Sequence, residues 1–61
     1  MYAILIETRY YCGISASSGF PVVSDERDEA TQWNDYGRAL YMQTFLLEIV
    51  HVEQEVTIIS F

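Results

Sequence analysis

The sequence predicts an α+β fold: a small antiparallel sheet of three to four strands with one main helix packed on one face. Two segments rich in β-favouring residues, 2–15 and 50–61, lie towards the two ends of the chain. A segment with apolar residues at helical spacing, 38–50, precedes the second of them. Because 61 residues are enough for one domain, we assign residues 1–61 to a single domain.

The first β segment, residues 2–15, has apolar side chains on both faces at its start. Tyr2 and Ile4 would lie on one face, and Ala3 and Leu5 on the other. Such a strand is expected at the centre of the sheet or at an interface. A bend at residues 7–9 would divide the segment into a hairpin, although no Gly or Asn marks the turn.

The middle of the chain is expected to be less regular. Residues 15–19 are small and polar, as is typical of a loop. Residues 20–23 follow as a short strand, which Pro21 confines to a sheet edge because it has no N–H to donate. Ser24 can cap a short helical turn within residues 25–33.

The main helix is expected over residues 38–50, with Asn34 or Asp35 as its N-cap. Its apolar sector is wider than one sheet requires, which leaves a spare apolar side. The alternative is that residues 40–50 form a buried strand. The residues expected to face the sheet are Ala39, Met42, Leu46 and Ile49.

The last strand is expected over residues 50–61. Valines at 50, 52 and 56 alternate with polar residues, and residues 58–61 are apolar on both faces. An unpaired edge formed by this strand would favour pairing with another chain.

The composition is both acidic and apolar. The chain contains no lysine, has a net charge of −6 and is 51% hydrophobic. A domain of this size needs help to be stable, and the single cysteine, Cys12, excludes an internal disulfide, so we expect a homodimer. A lone thiol fits a reducing compartment, and neither a signal peptide nor a membrane span is recognisable, so we expect a cytoplasmic protein.

Parts of the sequence resemble a known group. The segments are residues 10–14 (Tyr-Tyr-Cys-Gly-Ile), 22–25 (Val-Val-Ser-Asp) and 29–33 (Glu-Ala-Thr-Gln-Trp), followed by Ala39. They are similar to small bacteriophage-encoded proteins in which an aromatic-x-Gly strand precedes an Asp-x-x-x-Ala-x-x-aromatic turn and a helix. The resemblance implies an inhibitor of a host enzyme or defence system. Typical members are Lys-rich along the helix, whereas this chain has no lysine.

The function predicted from these features is non-enzymatic protein binding, with a partner that carries a basic surface. A phage-type inhibitor could mimic nucleic acid through its carboxylates, although the same cluster could serve only solubility. The alternative is a small regulatory or assembly subunit that docks through its apolar helix face. The residues predicted to bind protein are Asp25, Glu26, Asp28, Glu29, Trp33, Tyr36 and Tyr41.

Enzyme, metal and cofactor sites are not expected. Cys12 and His51 could form a nucleophile pair, but no acid is placed to orient the imidazole, and a buried unreactive cysteine is commoner. His51, Glu53 and Glu55 would alternate on one strand face, which a solvent-facing sheet explains more simply than a metal site. Direct nucleic-acid binding is not expected either, because it requires Lys and Arg.

Overall fold

The computed structural model describes all residues, 1–61, and confirms the α+β fold with one antiparallel four-stranded sheet and one main helix. The elements are β1 (Tyr2–Ile6), β2 (Arg9–Ile14), β3 (Pro21–Ser24), a 3-10 turn (Arg27–Glu29), α1 (Tyr36–Glu48) and β4 (Val56–Ser60). The strand order in the sheet is β3-β2-β1-β4.

Strands β1 and β2 form the expected hairpin. Leu5 pairs with Tyr10 and Ile6 with Arg9, so Glu7 and Thr8 make the turn. Glu7 takes up the left-handed backbone conformation, with φ 58°, that such tight turns need and that glycine or asparagine usually supplies. Strand β1 lies inside the sheet, between β2 and β4, as its two apolar faces predict.

Strand β3 forms one edge of the sheet, where Pro21 is expected. Further along the chain, residues 31–33 enter the sheet between β1 and β2, at the end where these strands separate. Tyr2 and Trp33 exchange two backbone hydrogen bonds, of 2.8 and 2.9 Å, and the Thr31 N–H donates to the Tyr11 carbonyl. The irregular segment is thus tied to both central strands.

Helix α1 begins two residues earlier than predicted and ends at Glu48, and residues 40–50 are not a strand. The N-cap is Asp35, which is one of the two residues predicted for this position. Its carboxylate accepts a hydrogen bond from the Gly37 N–H at 3.2 Å. The helix packs mainly on β1 and β4, so the β3 side of the sheet extends beyond it.

Residues 50–55 do not belong to the last strand, which contradicts the prediction of a strand over 50–61. The N–H groups of Val50 and Val52 donate to the last carbonyls of α1, at Phe45 and Leu46. His51 lies in the left-handed region, with φ 62°. The chain must reverse direction to return along β1, and hydrogen bonds to the helix end satisfy these amides in place of a strand partner.

The core lies between α1 and the sheet and consists of Ile4, Ile6, Tyr11, Leu46 and Val56. Of the helix residues expected to face the sheet, Ala39 and Leu46 are fully buried and Met42 is half-buried. Ile49 is 65% exposed, contrary to the prediction, because the helix has ended and its position no longer follows the helical period.

The face of the sheet opposite α1 is also partly covered. Ala3, which points to that face, is fully buried. Ser24 pairs with Tyr10, whose side chain faces away from the helix, and Ser24 donates a hydrogen bond to Glu29. The segment between β3 and α1 therefore crosses this second face. No helix in the structure combines the length and the apolar character needed to cross a membrane.

Candidate protein-binding surfaces

The four predicted acidic residues lie on an exposed turn after β3, and every one of their side chains is exposed. Ser24 organises the turn at its start. Its hydroxyl accepts a hydrogen bond from the Glu26 N–H at 3.0 Å and donates one to the Glu29 carboxylate. We call residues 25–29 the acidic segment. Its backbone is fixed by hydrogen bonds, while the carboxylates of Glu26 and Asp28 remain directed to solvent.

The negative charge of the chain is almost uncompensated. The structure contains one ion pair, between the Arg9 Nε and the Asp25 Oδ1 at 3.2 Å, so eight of the nine acidic residues have no ion-pair partner. Both partners are exposed, and such a pair contributes little to stability. Arg27 lies over the Phe61 ring instead, 5.0 Å from its centroid. The acidic segment therefore presents a net negative surface.

The three predicted aromatic anchors lie in different environments. Trp33 is half-buried against the core, and its ring stacks on Tyr11 with centroids 6.2 Å apart. Tyr36 contacts Tyr2 edge to face, with centroids 5.4 Å apart. Tyr41 is 74% exposed on α1. Of the three, Tyr41 is the side chain most available to another protein.

The acidic segment and Tyr41 lie on opposite sides of the sheet. Helix α1 covers one face, whereas the segment crosses the other. The predicted protein-binding residues are therefore not gathered into one site. Around Tyr41 the helix forms a shallow apolar depression of about 270 Å³ with Phe45 and Ile49. The exposed position of Ile49 could not be predicted, because its helical spacing placed it on the buried side.

A larger groove, of about 670 Å³, was not predicted from the sequence. It lies beside the helix, over the part of the sheet that α1 leaves uncovered. Phe20, Pro21 and Val23 line one wall, and residues 50–54 line the other. No sequence signal identifies this groove, since it depends on residues 50–54 folding as a loop.

The prediction that His51, Glu53 and Glu55 alternate on one strand face is wrong. His51, Glu53 and Glu55 lie in the loop before β4 and not on a strand face. No three His, Cys, Asp or Glu side chains are grouped so that they could hold a metal ion.

Cys12 is half-buried in β2, and its Sγ donates to the Tyr10 carbonyl at 3.4 Å. Burial raises the pKa of the Cys12 thiol, and the nearby Glu29 carboxylate raises it further. Since only the thiolate is an effective nucleophile, these surroundings make Cys12 less reactive than a free thiol.

Comparisons with protein-family models, with curated protein sequences and with solved structures found no match.

Proposed function

We propose that this chain is a non-enzymatic acidic protein-interaction module that binds a protein with a basic surface through the acidic segment. The observation that carries the proposal is the exposed, unpaired negative charge on a turn that Ser24 fixes by hydrogen bonds. Because the backbone of this turn is already ordered, binding costs little backbone conformational freedom, and the field of the carboxylates attracts Lys and Arg side chains over about 8 Å at physiological salt.

The class of partner follows from the sign of the charge. A protein groove that normally holds phosphates presents Lys and Arg, and a row of carboxylates can compete for it. The resemblance to bacteriophage proteins makes a host protein that handles nucleic acid, or one that takes part in defence, the favoured partner. We further propose that the module acts in the cytoplasm, where a single unpaired thiol remains reduced.

The alternative function is that of a small regulatory or assembly subunit that docks through its helix. The exposed apolar surface of Tyr41, Phe45 and Ile49 favours this alternative. On that hypothesis the acidic segment would serve only solubility.

Capture experiments with purified baits distinguish the two functions. In the test bait, Glu26→Gln and Asp28→Asn remove two charges whose side chains make no hydrogen bond in the structure. The matched control, Glu7→Gln with Glu53→Gln, removes two exposed charges elsewhere. A third bait carries Tyr41→Ser.

The proposal predicts that a basic protein is retained by the wild-type and control baits and binds the test bait about tenfold more weakly, which corresponds to about 1.4 kcal/mol. Retention that is insensitive to the test substitutions contradicts it. If Tyr41→Ser instead abolishes capture while the test bait retains the protein, the docking-subunit alternative is supported.

A further inference from the structure

The two edges of the sheet differ in how they are protected. At the β3 edge, Pro21 has no N–H to offer a further strand. Strand β4, at the other edge, has the sequence Val-Thr-Ile-Ile-Ser. It has no proline, no charge and no bulge, which are the features by which natural proteins usually protect an edge. Strand β4 is therefore open to pairing with another strand.

The backbone of β4 shows which groups are available. The Glu55 carbonyl accepts from the Glu7 N–H at 2.8 Å, and the Phe61 N–H donates to the Met1 carbonyl at 3.0 Å, so the odd-numbered residues pair with β1. The even-numbered residues 56, 58 and 60 consequently direct their N–H and C=O groups to the open edge. Only the Val56 carbonyl has a partner there, the Gln43 Nε2 at 2.9 Å.

The hydrogen bond from the Gln43 Nε2 to the Val56 carbonyl shows which side of the helix borders the open edge. Leu40 and Leu47 lie three residues before and four after Gln43, and so they share its side of α1. Each of the two leucines is 43% exposed. An apolar stripe on the helix thus runs above the unpaired edge of β4.

We propose that the open edge of β4 pairs antiparallel with β4 of a second copy of the chain, centred on Ile58. In this two-fold arrangement Ile58 lies opposite Ile58 of the second copy, and Val56 lies opposite Ser60. Every backbone group directed to the edge then meets a complementary group, and the Val56 carbonyl, which already accepts from the Gln43 Nε2, accepts the Ser60 N–H of the second copy with its other lone pair. The result is a continuous eight-stranded sheet with both helices on the same face. Apart from Arg27, this interface uses no residue of the acidic segment, and so it goes beyond the proposed function.

The position of the helix fits this arrangement. Helix α1 contacts β1 and β4, so its axis lies roughly between them. With strands about 4.8 Å apart, the two helix axes would be separated by two strand spacings, about 9.6 Å. Packed helices are typically 8–10 Å apart. The stripes of Leu40 and Leu47 from the two copies would therefore meet above the paired strands.

Charge complementarity supports the same register. With Ile58 at the centre, Glu55 of one copy lies opposite Phe61 of the other, on the face that points away from the helices. Arg27 lies over the Phe61 ring on that face. Each Glu55 would thus approach Arg27 of the second copy, and the symmetry makes two such contacts. Within one chain Glu55 and Phe61 are at opposite ends of β4, about 20 Å apart, so the contact can form only between copies.

The first test is the dimer dissociation constant, measured by sedimentation equilibrium. Leu40→Lys with Leu47→Lys should weaken the dimer by at least about tenfold. The matched control, Tyr41→Lys with Ile49→Lys, adds the same charge to one exposed position on another side of α1 and one just beyond its end, and it should leave the dimer intact. A wild-type chain that remains monomeric at all concentrations, or a dimer that only the control disrupts, overturns the proposal.

The second test is a charge exchange that reports on the register. Glu55→Arg and Arg27→Glu should each weaken the dimer, and the chain that carries both substitutions should regain it. Absence of recovery in the double variant refutes the pairing centred on Ile58.

Amide hydrogen exchange supplies an internal control within β4. The Thr57 and Ile59 N–H groups bond to β1 and should be protected in monomer and dimer. The Ile58 and Ser60 N–H groups should become protected only at dimer concentrations. Exchange at Ile58 that stays fast in the associated protein shows that another surface holds the copies together.

Discussion

Leu46→Ala should remove a large part of the stability of the protein. Leu46 is fully buried between α1 and the sheet, in a core of only five side chains. Such a substitution costs about 2–5 kcal/mol through lost burial and the cavity it leaves. A chain of 61 residues has a total stability of about 3–9 kcal/mol. The loss is therefore a large fraction of the whole free energy of unfolding.

The neighbouring Leu47 provides the matched control, because it undergoes the same chemical change on the exposed side of the helix. Leu47→Ala should cost less than about 1 kcal/mol under conditions where the protein is monomeric. Urea denaturation followed by circular dichroism measures both variants at low protein concentration. Equal losses for the two substitutions, or a larger loss for Leu47→Ala, would refute the orientation of the helix.

Three further predictions concern the cap, the thiol and the charge. Asp35→Ala should lower the free energy of unfolding by about 1 kcal/mol, because the Gly37 N–H loses its acceptor, whereas Asn34→Ala should have little effect; urea denaturation measures both. The Cys12 thiol should react with iodoacetamide with a pH midpoint above that of a free cysteine, and Glu29→Gln should move the midpoint down; an unchanged midpoint would show that the carboxylate is not acting on the thiol. Dimerisation should strengthen as added salt shortens the screening length from about 30 to about 8 Å, because each copy carries a net charge of −6; a dissociation constant that rises instead would contradict this.

Local sequence signals predicted much of the fold. A run of β-favouring residues that is apolar on both faces identified β1, Pro21 identified an edge strand, and Asp35 was one of two predicted N-caps. These features succeed because each depends on the conformational preference of a few neighbouring residues. The strand order and the insertion of residues 31–33 between β1 and β2 depend on contacts far apart in sequence, which no local pattern specifies.

The errors have specific physical causes. Val50 and Val52 alternate with polar residues as in a strand, but their side chains pack against the core from a loop while His51 and Glu53 point to solvent. Buried and exposed side chains thus alternate in this loop as they would in a strand, although the loop pairs with no other strand. Ile49 has helical spacing but lies beyond the last turn of α1.

The candidate surfaces were predictable in part. The acidic segment is exposed, as its composition suggests, and the sequence indicated a spare apolar side on the helix. The separation of the acidic segment from Tyr41 by the sheet could not be foreseen, because it depends on the path of residues 25–33 across the second face. The groove beside residues 50–54 was not predicted, because these residues were expected to form a strand and not the loop that lines the groove.

The mass of the wild-type protein in solution tests most directly the claim that the open edge of β4 pairs with a second copy of the chain. Light scattering across a concentration and salt series measures it without labels or variants. We expect a species of twice the 7.1 kDa of one chain, formed reversibly as concentration rises. A mass of 7.1 kDa under every condition would contradict the pairing of β4 and leave the open edge and the leucine stripe without an explanation.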